Sequence, residues 1–320
     1  MRMMFWIEPE RIIEGTETSK AHPEYLLRAN EDKGEVSIHC LMDLGNEDAL
    51  SYVFETVCGF VDSLNMECLR QDFNFEPEKY WRVNEEEGRL GIREIKHVMG
   101  LYKYWDMLLS KYPDLLIDNC ASGGRRIDIE TLKRAIPFFR SDYQCEFNPE
   151  SDVTQTHGTN ISKYLPYMGC TSKVKSDTYA VRSTYASSWG GAFYNAVFQT
   201  MSEEDFIWAR NILDEYKSAR KYFSCDFYNH GATTMEQTAW TIWQYDDSGD
   251  GIIMAFRRIK SPVKTVVINL KGIDENANYE FTLTDKGESK NISGKELLEC
   301  GYEITLDEKY SSEIIKYRRI

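Results

Sequence analysis

The stretch from residue 46 to residue 74 constrains this chain more than any other. Leu50, Val53, Phe54, Val57, Phe60, Val61 and Leu64 recur at intervals of three and four, the spacing of one buried helix face. Asn46 stands where the helix needs an N-cap. Directly behind it, residues 66–73 form an extended apolar run that closes in Arg70-Gln71-Asp72-Phe73-Asn74. A helix followed at once by a buried strand with a polar far end is the repeating unit of α/β proteins. Their chemistry collects at the carboxyl ends of the strands.

The unit recurs along the chain. Ile92, Ile95, Val98, Met99, Tyr102, Trp105, Leu108 and Leu109 trace a second helix. Residues 115–117 then read as a short strand running into Asp118-Asn119-Cys120-Ala121-Ser122-Gly123-Gly124-Arg125-Arg126. Ile129, Leu132 and Ile136 mark a brief helix stopped by Pro137, and Phe138-Phe139 lead into Arg140-Ser141-Asp142, read as another strand ending in charge. Residues 3–7 and 36–44 are expected as earlier strands, 164–168 and 179–182 as later ones, and 206–222 as the last long helix. About six strand–helix units emerge, against the eight of a closed barrel. An open doubly wound sheet is the alternative, and it is weakened because no GxGxxG follows any strand.

After about Thr233 the pattern changes. Residues 240–245, 251–257, 264–270, 279–284 and 302–306 are short extended runs between turn residues, the pattern of a small antiparallel sandwich. The expected organisation is therefore a parallel α/β barrel over residues 1–232 and an all-β module over 233–320.

Composition narrows the function. A net charge of −14 argues against nucleic acid or an anionic membrane surface as partner. No apolar run reaches the length of a membrane span, and the opening residues meet Glu8 too early for the apolar core of a secretory signal. The eight cysteines form no CxxC pair, and the five histidines no HExxH or HxH. Reduced thiols in a cytoplasmic protein, with no metal and no cofactor, are the expectation. Asp246-Asp247-Ser248-Gly249-Asp250-Gly251 resembles a calcium loop in composition, but the twelfth position counted from Asp246 is Arg257 where an acid is required. A hairpin turn is the reading adopted.

Asp72 and Asp142 are the candidate catalytic pair. Each closes an apolar run beside an arginine, and they belong to different strand–helix units. Two carboxylates facing one pocket are what glycoside hydrolysis requires, one at the sugar carbon and one at the leaving oxygen. Arg70 and Gln71 would favour the ionised form of Asp72. On spacing alone, two aspartates that cap helices or pair with arginines fit as well. Gly123-Gly124 would let backbone amides approach a ligand. Trp6, Trp81 and Trp189 are candidate sugar-stacking surfaces, with core burial the default for each. Cys145 and His157, in the loop after Asp142, are candidate ligand contacts and no more than that.

Six ordered segments carry a resemblance: Phe5-Trp6-Ile7-Glu8-Pro9-Glu10, Ala21-His22-Pro23-Glu24, Met42-Asp43-Leu44-Gly45-Asn46, Arg70-Gln71-Asp72-Phe73-Asn74, Asp118 to Arg125, and Arg140-Ser141-Asp142. Together they resemble the α-galactosidases of glycoside hydrolase family 36, the melibiase type. The resemblance implies a (β/α)8 barrel and a retaining double displacement with Asp72 as nucleophile and Asp142 as general acid/base. It implies substrate contacts from Trp6, Arg70, Asn74, Cys120, Ser122 and Gly123. Arg70 stands where many members carry a lysine, and Lys20 near a family arginine of the pocket. The family's N-terminal β-sandwich and first two barrel strands, with a paired-acid motif that grips the galactose, have no counterpart here. The resemblance thus implies a C-terminal portion and an incomplete barrel. The implied substrate is an α-galactoside oligosaccharide, with α-N-acetylgalactosaminide as the alternative sugar. A silent sugar-binding fragment is the alternative of another class, and homo-oligomers occur in the family.

Overall fold

The computed structural model describes residues 3–29, 37–146, 149–159, 161–165, 167–171, 177–190 and 201–320. The chain forms two compact units, Met1–Ser141 and Asp142–Ile320.

In chain order the first unit contains β1 (Met4–Ile7), β2 (Arg11–Ile13), α1 (Glu17–Ala21), β3 (Leu26–Leu27), β4 (His39–Met42) and α2 (Glu47–Leu64). They are followed by β5 (Cys68–Gln71), α3 (Glu78–Val83), α4 (Ile92–Lys111), β6 (Leu116–Asn119) and α5 (Ile129–Leu132). β1, β5 and β6 form a parallel sheet in the order β1–β5–β6. Its register aligns Ile7 with Gln71 and Gln71 with Asn119, so all three strands end at one level. A second, antiparallel sheet has the order β2–β4–β3.

The predicted helix periodicity is what builds the core. Leu50, Val53, Val57 and Val61 of α2 are buried with Leu101, Trp105 and Leu108 of α4 against Leu69 and Ile117 of the parallel sheet. Each such side chain contributes about 1.5–3 kcal/mol by leaving water. Asn46 caps α2 as expected, its Oδ1 accepting from the N–H groups of Asp48 (2.9 Å) and Ala49 (3.4 Å). α4 passes so close to the chain after β4 that a Cβ at Gly100 would lie 1.9 Å from the Leu44 carbonyl oxygen. Gly100→Ala is expected to cost about 3 kcal/mol through overpacking, read as a lower midpoint in urea unfolding. An unchanged midpoint would show that the two segments separate freely.

Three expected strands are not strands. Ile136 makes a single parallel bridge to Asp118, and beyond it Asp142–Cys145 form a 3₁₀ turn. Pro137 lacks an N–H for a ladder, and the Phe138 N–H goes to Asp118 Oδ1 at 3.0 Å, so a side chain replaces the strand partner. Residues 179–182 lie inside a helix, Thr178–Ser183, capped by Asp177, whose carboxylate accepts from the Ala180 N–H at 3.0 Å. Its aromatic and β-branched residues gave a strand-like composition that the cap overrides. Tyr164 and Leu165, expected in a strand over 164–168, lie in a turn instead, their N–H groups both donating to the Ile161 carbonyl at 3.0 and 2.9 Å, and the strand of this region is Gly169–Thr171. Pro166 in that run, and Val36 in the expected strand 36–44, lie outside the described residues.

The second unit contains α6 (Ser151–Thr159), β7 (Gly169–Thr171), α7 (Thr178–Ser183), β8 (Ser188–Gly190), α8 (Glu203–Ala219), β9 (Asp226–Asn229), β10 (Trp240–Asp247) and β11 (Asp250–Arg257). β12 (Thr265–Ile268), β13 (Asn278–Leu283), β14 (Ser289–Ser293), α9 (Gly294–Cys300), β15 (Tyr302–Thr305) and β16 (Ser311–Arg319) follow. A six-stranded antiparallel sheet has the order β14–β13–β16–β11–β10–β9, and β12 pairs with β15. One sheet face, with Trp243, Tyr245 and Phe256, packs on Tyr185, Ile212, Tyr216 and Phe223. The other, with Ile253, Phe281 and Tyr317, packs on Ile268, Leu297, Tyr302 and Ile304. This unit takes in residues on both sides of the expected boundary at 232/233. The acidic stretch 246–251 is the β10–β11 hairpin, with Asp247 opposite Asp250. Ser248 (φ 57°) and Gly249 (φ 100°) both occupy the left-handed region that a two-residue turn of this hand requires.

Candidate active site

β5 places Arg70 and Asp72 on one side of the sheet and Gln71 on the other, because side chains alternate along a strand. The Asp72 carboxylate sits just past the strand end, and its backbone N–H continues the ladder to the Ile7 carbonyl at 3.0 Å. Its Oδ2 accepts from the Trp6 indole Nε1–H at 3.1 Å. Its Oδ1 accepts from the Phe73 N–H at 2.8 Å and the Ser122 N–H at 3.3 Å. Burial pushes this carboxyl up, but hydrogen bonds from Cys120, Trp6, Phe73 and Asn74 outweigh it and leave Asp72 below the ordinary aspartate range. Asp72 is therefore an anion near neutrality, only 7% exposed, with a fixed orientation.

The loop after β6 supplies the other wall. Ser122 (φ 46°) and Gly123 (φ 81°) are left-handed, and this turn points the Ser122 N–H at Asp72. Gly124 touches the incoming chain: a Cβ there would lie 2.3 Å from the Arg140 carbonyl oxygen. Burial pushes the Cys120 thiol up to about 12, with the Asp72 carboxylate adding to the shift, so Cys120 stays a protonated neighbour. Asn74 ties the ends of β1 and β5 together: its Nδ2 donates to Glu8 Oε1 at 2.8 Å, and its Oδ1 accepts from Ser122 Oγ at 3.0 Å. Arg125 donates to the Phe73 and Phe75 carbonyls and to Ser122 Oγ, closing the loop on itself.

Arg70 pairs with Asp118, its direct neighbour across β5 and β6. Burial pushes the Asp118 carboxyl up, and Arg70 with the Phe138 N–H only partly pulls it back. The Arg70 guanidinium also lies 4.8 Å from the centre of the Phe139 ring. Gln71 does not touch Asp72, contrary to the expectation from adjacency. It points to the other face, where its Nε2 donates to Glu10 Oε1 at 2.9 Å and its Oε1 accepts from Trp105 Nε1 at 3.0 Å.

Seven of the nine expected site residues, Trp6, Arg70, Asp72, Asn74, Cys120, Ser122 and Gly123, thus gather at one end of the parallel sheet. Lys20 stands exposed in the last turn of α1; its backbone N–H donates to the Thr16 carbonyl at 3.1 Å, and its ammonium group has no hydrogen bond or ion pair among the described residues. Asp142 is exposed and opens the second unit. Of the other tryptophans, Trp81 packs against His97 and Trp189 against Tyr185 and Tyr216, both core roles. His157 packs edge-on against Tyr143, and Cys145 is half-buried.

Sequence reasoning did not find Glu10, His97 and Arg126. Glu10 is fully buried, and its carboxylate accepts from both terminal nitrogens of Arg126 (2.8 and 2.6 Å) and from Gln71, and is hydrogen-bonded to His97. Burial pushes Glu10 up, but Arg126 and His97 dominate and hold it well below the usual glutamate range. The available signal was the period-two alternation in β5, which turns Gln71 inward and calls for a polar partner there.

Two carboxyls of this region, Asp72 and Glu10, titrate lower in the folded chain than their ordinary values. Asp72 and Glu10 bind fewer protons folded than unfolded, so their stabilisation is fully present above the unfolded carboxyl range, about 4. It is lost as pH falls through their lowered folded values. The urea midpoint is therefore expected to drop from pH 6 to pH 3, and Glu10→Gln should shrink that drop. An equal drop in the variant would remove Glu10 from the account.

Residues 1–185 match the family model described as Melibiase. Among curated relatives, the bifunctional α-galactosidase/sucrose kinase AgaSK of Mediterraneibacter gnavus is 24% identical, covering 94% of this chain and 32% of that protein. The α-galactosidase Mel36A of Lactobacillus acidophilus is 22% identical, covering 94% of this chain and 41% of that one. The chain thus spans about a third to two fifths of the length of these two relatives. Among solved structures, a family 36 α-galactosidase of Geobacillus stearothermophilus in complex with raffinose is 19% identical, with a TM-score of 0.79 over 100% of this chain and 45% of that one. A Lactobacillus brevis α-galactosidase is 20% identical, with a TM-score of 0.80 over 100% of this chain and 44% of that one.

Proposed function

The chain belongs to the melibiase family, and on that premise we propose that it carries the catalytic carboxylates of a retaining exo-α-galactosidase. The observation that supports this best is the Asp72 carboxylate, held ionised and oriented at the carboxyl end of a parallel strand by Trp6, Phe73 and Ser122. In this reading β1, β5 and β6 are staves of a (β/α)8 barrel, and the antiparallel sheets of the second unit form a β-sandwich.

The reaction follows from two carboxyls in different roles. An Asp72 oxygen attacks the anomeric carbon of a terminal α-linked galactose while Asp142 gives its proton to the departing glycosidic oxygen. The bond to the leaving sugar breaks, and a β-linked galactosyl ester forms on Asp72. Water then loses a proton to the Asp142 carboxylate and attacks the same carbon, and the ester C–O bond breaks. Asp72 is regenerated and α-galactose leaves. Trp6, half exposed while its N–H is bound to Asp72, offers its ring face to the sugar. Arg70, Asn74, Cys120, Ser122 and Gly123 line the approach, and Lys20 reaches the sugar from α1.

The test is the stereochemistry of hydrolysis. Proton NMR of 4-nitrophenyl α-galactoside incubated with the protein should show α-galactose as the first-formed product. β-Galactose appearing first would overturn the double displacement.

A further inference from the structure

The interior of the first unit holds a charged cluster that the proposed reaction does not use. Glu10, from the segment after β1, is surrounded by Gln71 at the end of β5, His97 in α4 and Arg126 in the loop after β6. Arg126 grips both carboxylate oxygens, at 2.8 and 2.6 Å. Gln71 is fixed at both ends, donating to Glu10 and accepting from Trp105. The Arg126 guanidinium also lies 4.4 Å from the centre of the Phe73 ring, and that ring stacks on His97 at 6.3 Å.

Gln71 and Phe73 are the residues on either side of Asp72, so the cluster clamps the backbone at both of its neighbours. Phe73 also supplies the shortest hydrogen bond to the Asp72 carboxylate through its own N–H. The Gln71 carbonyl accepts from the Cys120 N–H at 2.8 Å, which sets the loop that presents Ser122. A buried ion pair is a poor device for stability, since its desolvation costs as much as its attraction returns and apolar side chains of the same volume do as well. What it supplies is direction: a two-pronged guanidinium fits a carboxylate in one geometry.

We propose that Glu10 is the positioning residue of the nucleophile, acting through Arg126 on Phe73 and through Gln71 on the strand end. The inference rests on the reading of Asp72 as nucleophile. Glu10 touches neither substrate nor reacting atoms. It keeps the Trp6, Phe73 and Ser122 donors converged on one carboxylate orientation.

The test uses two variants of the full chain that leave its net charge balanced. Glu10→Gln with Arg126→Gln removes the pair, and Gln71→Leu cuts one link without touching a charge. Hydrogen exchange, followed by NMR, reads the Trp6 indole N–H and the Ser122 amide N–H, the two donors from outside the clamped segment. Both should exchange at least about tenfold faster in each variant, while amides of Val57 and Leu101 in α2 and α4 keep their wild-type protection. In turnover of 4-nitrophenyl α-galactoside, kcat should fall about thirtyfold and KM stay within about threefold, the pattern of lost transition-state alignment. Wild-type exchange at Trp6 and Ser122 in both variants overturns the proposal, as does faster exchange spread equally over α2 and α4. Absence of turnover by the wild-type chain would sink the assigned activity instead, and the exchange measurement would still decide the role of Glu10.

Discussion

Asp72→Ala is expected to lower turnover of an aryl α-galactoside by about ten-thousandfold or more, with KM changed far less. The methyl group cannot form the ester, and the donors that held the carboxylate, Trp6 Nε1, Phe73 N and Ser122 N, face an empty space. Azide fits such a space. It should restore part of the rate by attacking the sugar carbon directly, with β-galactosyl azide as product, because one inversion replaces two. Asp142→Ala with azide should give the opposite anomer, α-galactosyl azide, since there the azide intercepts the ester on Asp72. Retained wild-type rates in Asp72→Ala, or α-galactosyl azide from it, would remove Asp72 from the nucleophile's place.

The largest expected effect on stability lies in the second unit, at Arg182. This guanidinium is 2% exposed and holds together a helix pair and a turn. Its Nε and Nη2 donate to Glu215 of α8 at 3.0 and 2.5 Å, its Nη1 to Asp285 at 2.9 Å, and Nη1 also to the Ser312 carbonyl at 3.0 Å. The Glu215 side chain is 12% exposed and that of Asp285 46%, so removing the arginine strands mainly one charge, that of Glu215. Arg182→Met is expected to cost about 3–5 kcal/mol, the range for breaking a buried pair from one side. Denaturant unfolding monitored by tryptophan fluorescence should show the loss, and adding Glu215→Leu should recover part of it. A double variant no more stable than the single one would mean that the cost comes from packing and not from an orphaned carboxylate.

How far the sequence reached follows from which interactions are local. The helices α2 and α4 were legible because three-to-four periodicity records a single buried face. β5 and β6 were legible because each is a short apolar run that stops at a polar residue. The β10–β11 hairpin was legible from Ser248-Gly249, a turn that only residues tolerant of positive φ can make. Residues 138–142 and 179–182 misled because their aromatic content suits a strand, while Pro137, the Asp118 side chain and the Asp177 cap decide otherwise. At the site, Asp72 was marked by its position at a strand end, and the gathering of Trp6, Cys120 and Ser122 around it was implied by the family resemblance. At the Glu10 cluster, strand alternation turns Gln71 inward and asks for a polar partner, but it does not identify that partner, because Glu10 and Arg126 are 116 residues apart and nothing local in either segment announces the pair. Arg70 and Gln71 show the same limit in small: adjacency put both beside Asp72, and strand alternation sends Gln71 to the opposite face.

As the nucleophile, the Asp72 carboxylate must become covalently bonded to the sugar during turnover. Incubation with 5-fluoro-α-galactosyl fluoride, which forms the ester faster than water releases it, followed by mass spectrometry of the intact chain and of its peptides, tests this directly. One fluorogalactosyl group per chain, on the peptide containing Asp72 and absent from Asp72→Ala, is the expected result. A group carried by Asp142 or any other residue, or chains that turn over the reagent and never carry one, would contradict it.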